Sequence, residues 1–179
     1  MTHYTSWVDS ILPRNPSVRS ERADAQEYWS QVHGLLSDKS EGRHFIFDGL
    51  TDDETKQFAH KGHVIRCLRG ELIIRKGTVS HGIYVVLSGV VEVRDGDRVL
   101  AVMGQGEVLG ELGFLLASPR TANVYALTND VQILSLDERV LRQLIETDAI
   151  TSAKFLLNLS KVLCLRLVEV RSRFSLSEH

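Results

Sequence analysis

Gly110-Glu-Leu-Gly-Phe-Leu-Leu-Ala-Ser-Pro-Arg-Thr-Ala-Asn-Val124 is the stretch on which the reading of this chain turns. Gly110 and Gly113 flank a lone acid, Glu111. Leu112, Phe114, Leu115 and Leu116 then supply about one or two turns of helix. Pro119 ends that run, because the residue before a proline is pushed out of the α region. Arg120, Thr121 and Ala122 follow, and the chain then enters a new β-rich segment.

The chemistry of this layout favours an anion. A short helix offers free N–H groups and a positive dipole end at its start. Glycines let a phosphate approach the backbone closely. Arg120 adds a planar, permanently charged fork suited to phosphate oxygens. Glu111, when ionised, only accepts hydrogen bonds, so it suits a sugar hydroxyl. One acid for a ribose and one arginine for a phosphate describe a nucleotide monophosphate pocket.

Outward from this stretch, 63–136 is a succession of short β-rich runs with glycine punctuation. Strands are predicted over 63–69, 72–76, 83–87, 90–94, 98–103, 108–109, 122–127 and 131–136, the pattern of an all-β barrel or roll. Asp95-Gly96 reads as the centre of a type I′ hairpin turn, which needs positive φ at both positions. Helical spacing surrounds this block. Ala25, Tyr28, Trp29, Val32, Leu35 and Leu36 share one face of a helix beginning near Ser20. Thr51-Asp-Asp-Glu54 is a capping box opening a short helix that runs to about His60. Asp137 caps a helix over 138–146 with Val140, Leu141, Leu144 and Ile145 as its buried face. A long helix follows over 149–174. Its stripe of Phe155, Leu156, Leu159, Leu163, Leu167 and Val170, with Val162 and Leu165 beside it, is wider than one contact requires.

With these residues in view, the chain resembles the cyclic nucleotide-binding domain family, typified by the bacterial catabolite activator protein and the regulatory subunits of protein kinase A. The family pattern Gly-Glu-Leu/Met-Gly/Ala-Leu/Phe-Leu, then Pro-Arg-Thr/Ser-Ala, matches Gly110 through Ala122 almost position for position. Gly77, Tyr84 and Ser88-Gly-Val-Val-Glu-Val93 match its strand-turn-strand signature. The resemblance covers roughly 45–170. It implies a mainly β fold with flanking helices: a double-stranded, jelly-roll-like β-roll with N-terminal helices and two C-terminal helices. The expected divisions are an N-terminal helical extension over 1–44, the β-roll over 45–148 with its phosphate-binding cassette at 110–124, and a lid or dimerisation helix over 149–179.

The resemblance also implies roles. Arg120 would pair with the exocyclic phosphate oxygens and Glu111 with the ribose 2′-hydroxyl. Gly110, Leu112, Gly113, Thr121 and Ala122 would supply mostly backbone contacts, and Val93, Leu100 and Leu109 apolar walls around base and sugar. The Thr121 hydroxyl can bond a guanine amino group when the base is syn, which leans towards cGMP while leaving cAMP open. Val170 and Arg171 match the pair that caps the base, although Val170 lacks the expected hydroxyl. The ligand is therefore cAMP or cGMP, with no cofactor and no metal. The protein is expected to be a non-catalytic sensor, a homodimer through 149–174, with a protein effector as a further partner. The alternative is a structural interaction module that keeps the fold without the ligand.

Bulk properties fit that expectation. The chain has 179 residues, enough for one domain with a real core. A formal net charge of -2 gives no footprint for nucleic acid. No winged helix follows the long helix before His179, so DNA binding is not expected. Cys67 and Cys164 form no metal or redox spacing and read as reduced core thiols of a cytoplasmic protein. No apolar run reaches membrane-spanning length and no signal peptide is evident. His60, His63 and His81 include no His-x-His pair, so a cupin-type metal site is not supported, and no cysteine–histidine pair near the start of the β-roll supports haem. No nucleophile elbow or phosphate-binding P-loop is present.

Overall fold

The computed structural model describes residues 46–176, with side chains through 168. The expected helix near 20–36 and the extension over 1–44 lie outside the described residues. The described elements are α1 (Asp52–Lys61), β1 (His63–Cys67), β2 (Leu72–Ile74), β3 (Ile83–Ser88), β4 (Val91–Asp95), β5 (Arg98–Met103), β6 (Val108–Leu109), α2 (Glu111–Leu116), β7 (Asn123–Ala126), β8 (Val131–Leu136), α3 (Glu138–Thr147) and α4 (Ala149–Leu176).

The strands form two four-stranded antiparallel sheets, ordered β1-β8-β3-β6 and β2-β7-β4-β5. Sequence explains which sheet lies inside. Ile83-Tyr-Val-Val-Leu87 is a continuous apolar run, and all five residues are buried. The first sheet is accordingly covered on both faces: by the second sheet on one side and by helices on the other. Val91-Glu-Val-Arg-Asp95 alternates instead, as a sheet with one wet face requires. Ile65, Ile74, Val86, Val91, Leu109, Val124 and Ile133 fill the space between the sheets. Phe47, Phe58 and Phe155 form an aromatic knot under the helices, with ring centroids 4.7–6.1 Å apart.

The helix ends follow their caps. Thr51 Oγ1 accepts from the Glu54 N–H at 3.2 Å, and Glu54 Oε2 accepts from the Thr51 N–H at 2.6 Å, the reciprocal pair of a capping box. The Asp137 carboxylate accepts from the Val140 N–H at 2.8 Å and starts α3. On α3, Leu141 and Leu144 are buried and Val140 packs against the core, but Ile145 turns outward. The hairpin also differs from expectation. Asp95 pairs with Arg98, so the loop is Gly96-Asp97, and positive φ (58°) falls at Gly96. A glycine at the first central position with an ordinary second residue fits a type II′ turn, not the type I′ turn centred on Asp95-Gly96.

On α4, Phe155 and Leu159 are buried and Leu156 packs against the core, whereas Leu157, Leu165, Leu167 and Val168 are exposed. Both cysteines are free; Cys67 is buried, but Cys164 is exposed on the outer side of α4 and is no core thiol. Burial in apolar surroundings, with Glu71 nearby, pushes the Cys67 thiol up to about 12, so it remains protonated and inert. Among the described residues, no helix is long and apolar enough to cross a membrane.

Candidate functional site

The site is built where β6 runs into α2. Gly110 caps α2 in the left-handed region, with φ 77°. A Cβ there would meet Arg120 Nη1 at 2.1 Å, and one on Gly113 would meet Ser80 O at 2.9 Å and Arg120 Nη1 at 3.0 Å. The two glycines thus leave the room in which the arginine lies. Ala117, also left-handed with φ 48°, ends the helix two residues before Pro119.

The backbone of Arg120 is pinned to the preceding turn. Its N–H donates to Thr78 O at 2.9 Å, and its carbonyl accepts from the Gly77 N–H at 2.8 Å. Its side chain is 5% exposed. Nη1 donates to Gly110 O at 2.6 Å, and Nη2 donates to Gly82 O at 2.8 Å and Ser80 Oγ at 3.1 Å. The guanidinium also lies 5.3 Å from the Tyr84 ring centre. Burial lowers its pKa, an effect partly offset by Tyr84 and by the charge of Glu111. An arginine stays charged regardless. The site therefore holds a buried cation whose hydrogen bonds go to neutral acceptors, an arrangement that favours an incoming anion.

Glu111 is also buried. Its Oε1 accepts from Arg166 Nη1 of α4 at 2.5 Å, and Arg166 Nη2 donates to Val108 O at 2.5 Å. Between the two ends lies a cavity of about 390 Å³. It is lined by Gly110, Glu111, Leu112, Gly113, Arg120, Thr121 and Ala122, together with Val93, Leu100 and Leu109, so all ten sequence-selected positions border one space. Leu109 is a core residue of the roll, whereas Leu100 is 40% and Leu112 39% exposed and stand at the mouth.

Sequence reasoning expected the long helix to cap the base but did not single out the α4 residues that border the cavity. Val162, Leu165 and Arg166 border the cavity. They lie roughly one to two turns earlier than Val170 and Arg171, whose side chains fall outside those described. The spacing of Val162, Leu165 and Arg166 places them on one helix face, which was the available signal. Nothing within the helix itself fixed how far along it the cavity would fall. A second hollow of about 650 Å³ lies beyond Ser80, among His81, Glu138, Arg139 and Arg142. Arg142 Nε there pairs with Glu138 Oε1 at 2.6 Å, and the His81 imidazole lies 3.9 Å from Glu138 Oε2. Among the described residues, no group of three or more His, Cys, Asp or Glu is placed to hold a metal ion.

Two stacked sheets carrying a glycine-capped short helix beside a buried arginine define a β-roll ligand-binding domain. Residues 64–148 match the sequence profile of the cyclic nucleotide-binding domain, and this segment belongs to that family. The chain is 32% identical over 111 residues to cGMP-dependent protein kinase, isozyme 1, of Drosophila melanogaster, an alignment spanning 56% of this chain and 14% of the kinase. It is 34% identical over 80 residues to the cAMP-dependent protein kinase type II regulatory subunit of the same organism, spanning 42% of this chain and 21% of the subunit. The chain thus spans well under two thirds of these relatives. In fold it resembles a cyclic nucleotide-binding domain from Methylobacillus flagellatus, with TM-score 0.70 and 20% identity over 83% of each chain.

Proposed function

We propose that this chain is a cyclic nucleotide sensor without catalytic activity, taking cAMP or cGMP in the 390 Å³ cavity. The observation that carries this reading is Arg120, a buried cation bonded to neutral acceptors at the edge of a cavity that also borders a carboxylate. A cyclic phosphate at Arg120 would supply a charged hydrogen-bond acceptor beside the neutral ones, with the α2 backbone floor next to it. Glu111 would accept from the ribose 2′-hydroxyl, while Val93, Leu100 and Leu109 flank sugar and base. Leu112, Gly113, Thr121 and Ala122 complete the wall, and the Thr121 hydroxyl is available to either purine.

Occupancy would be transmitted through α3 and α4, provided the ligand binds one arrangement of those helices better than the other. The exposed Leu157, Leu167 and Val168 of α4 offer the face for a homodimer or a protein effector. Sedimentation equilibrium tests the dimer: a species of about twice the 20.1 kDa chain mass is expected, and a 20.1 kDa species at high concentration contradicts it. A second reading, a ligand-free interaction module, draws on one observation, that Glu111 is already paired with Arg166.

Calorimetric titration with cAMP, cGMP and their 2′-deoxy forms separates the two. The sensor reading expects saturable binding, weakened about tenfold when the 2′-hydroxyl is removed, since a hydrogen bond to a charged group contributes about 1.5–3 kcal/mol. Flat traces for every nucleotide would favour the module.

A further inference from the structure

The turn behind Arg120 carries an exposed sequence that the cavity does not use. Arg75-Lys-Gly-Thr-Val79 leaves β2 and folds back on itself: the Thr78 N–H donates to Arg75 O at 3.3 Å, and the Thr78 hydroxyl donates to the same oxygen at 2.7 Å. Arg75, Lys76 and Gly77 are exposed and Thr78 is half-buried. Val79 is 64% exposed, an apolar side chain with no place in the core. The Lys76 side chain pairs with Asp95, but both are about half exposed, and such a pair contributes little. Thr78 is the one Ser or Thr of the chain with basic residues at both the third and the second position before it. A protein kinase whose acidic substrate groove takes cations ahead of the acceptor hydroxyl, and an apolar side chain directly after it, would read this pattern.

We propose that Thr78 is a phosphorylation site for a Ser/Thr protein kinase directed by basic residues, and that its modification lowers the affinity of the cavity for nucleotide. In the transfer, Thr78 Oγ1 attacks the γ-phosphorus of a nucleoside triphosphate. The bond to the β,γ-bridging oxygen breaks, the diphosphate leaves, and the hydroxyl proton passes to the kinase's base. Oγ1 thereby loses the proton it donates to Arg75 O. Two acceptors are left where a 2.7 Å hydrogen bond stood, so the turn must rearrange. The phosphate, with a charge of about −2, gives the rearranged turn new partners in Arg75 and Lys76. That turn is also what pins the backbone of Arg120: the Gly77 N–H donates to Arg120 O at 2.8 Å, and Thr78 O accepts from the Arg120 N–H at 2.9 Å. Ser80, two residues on, accepts from the guanidinium itself. Rearrangement therefore unseats Arg120. Conversely, a nucleotide that binds the seated arginine holds the turn closed and shields Thr78 from the kinase. The effect on nucleotide rests on the reading of Arg120 as the phosphate anchor; the modification itself does not.

The test incubates the full chain with ATP and the isolated catalytic subunit of cAMP-dependent protein kinase, which acts without cyclic nucleotide. Peptide mass spectrometry locates the phosphoryl group, and cAMP and cGMP are titrated into modified and unmodified protein. Incorporation at Thr78 is expected, slowed about tenfold in Arg75→Gln, which removes the leading cation and keeps the carbonyl. Arg75→Gln binds nucleotide as wild type does. The phosphorylated protein is expected to bind about tenfold more weakly, and saturating cAMP to slow incorporation in wild type. Amide exchange at Gly77 and Arg120 rises on phosphorylation while the strands of the roll keep their protection. Thr78→Ala gains nothing at that position, and its affinity does not respond to kinase treatment. Absence of incorporation at Thr78 overturns the site, as does an equal rate for Arg75→Gln. Unchanged affinity or unchanged exchange in the phosphorylated protein overturns the coupling. Flat traces for unmodified wild type overturn the nucleotide reading instead, and leave incorporation at Thr78 to decide the site.

Discussion

Arg120 is placed by the residues that make room for it. Its guanidinium occupies the volume that side chains on Gly110 and Gly113 would fill, so the two glycines and the arginine are one steric unit. Gly110→Ala is expected to act twice. Its φ of 77° costs a non-glycine residue about 1–2 kcal/mol, and the new Cβ displaces Arg120 from Gly110 O. Thermal unfolding should show the loss of stability, and nucleotide titration a loss of affinity of about tenfold or more. Wild-type affinity in a folded Gly110→Ala protein would contradict the steric coupling. That Gly110, Gly113 and Arg120 belong to one site was legible because 110–122 is a contiguous motif, but the seating of the guanidinium on Gly110, Gly82 and Ser80 was not. Nor was Arg166, since only the packing of α4 decides which of its turns meets Glu111.

At the scale of elements, α1 and α4 are joined by Glu54, which both caps α1 and binds Lys154 and Thr151. Hydrogen bonds from Lys154 and from the Thr51 N–H hold its carboxyl down to about 2, against an ordinary 4.5. A carboxyl with a lower pKa in the folded state adds stability above its unfolded value and loses it as pH falls through the folded one. The contribution is therefore complete above about 4.5 and fades towards about 2. Urea unfolding of wild type and Glu54→Gln should show a midpoint difference that is largest at neutral pH and closes across that window. A difference independent of pH would show that the charge is not what joins the helices. The capping box was readable in the sequence, being local. Its second role was not, because Lys154 stands 100 residues away. The alternating pattern of β4 and the unbroken apolar run of β3 likewise reveal one-sided and two-sided burial, but the hairpin register between β4 and β5 follows from pairing and shifted the turn by one residue.

Across the whole molecule, α4 changes character along its length. Up to Leu159 it is buried against the aromatic knot and tied to Ile46, Asp48 and Glu54. Beyond that it rests over the cavity through Val162, Leu165 and Arg166 while showing Leu167 and Val168 to solvent. A ligand entering between α2 and this outer half would meet Val162, Leu165 and Arg166 of α4. A small ligand can shift a helix only through such differential contact. The double-sheet roll was legible because each strand carries its burial in its own pattern; the position of α4 over the cavity depends on interactions between distant segments.

The proposed role of Arg120 as the phosphate anchor is tested most directly by titrating cAMP and cGMP into wild type and Arg120→Ala under identical conditions. Saturable binding by wild type, at least about tenfold weaker in the variant, is expected from the loss of charge-assisted hydrogen bonds. Equal affinity in the two proteins, or no binding by wild type, would contradict it.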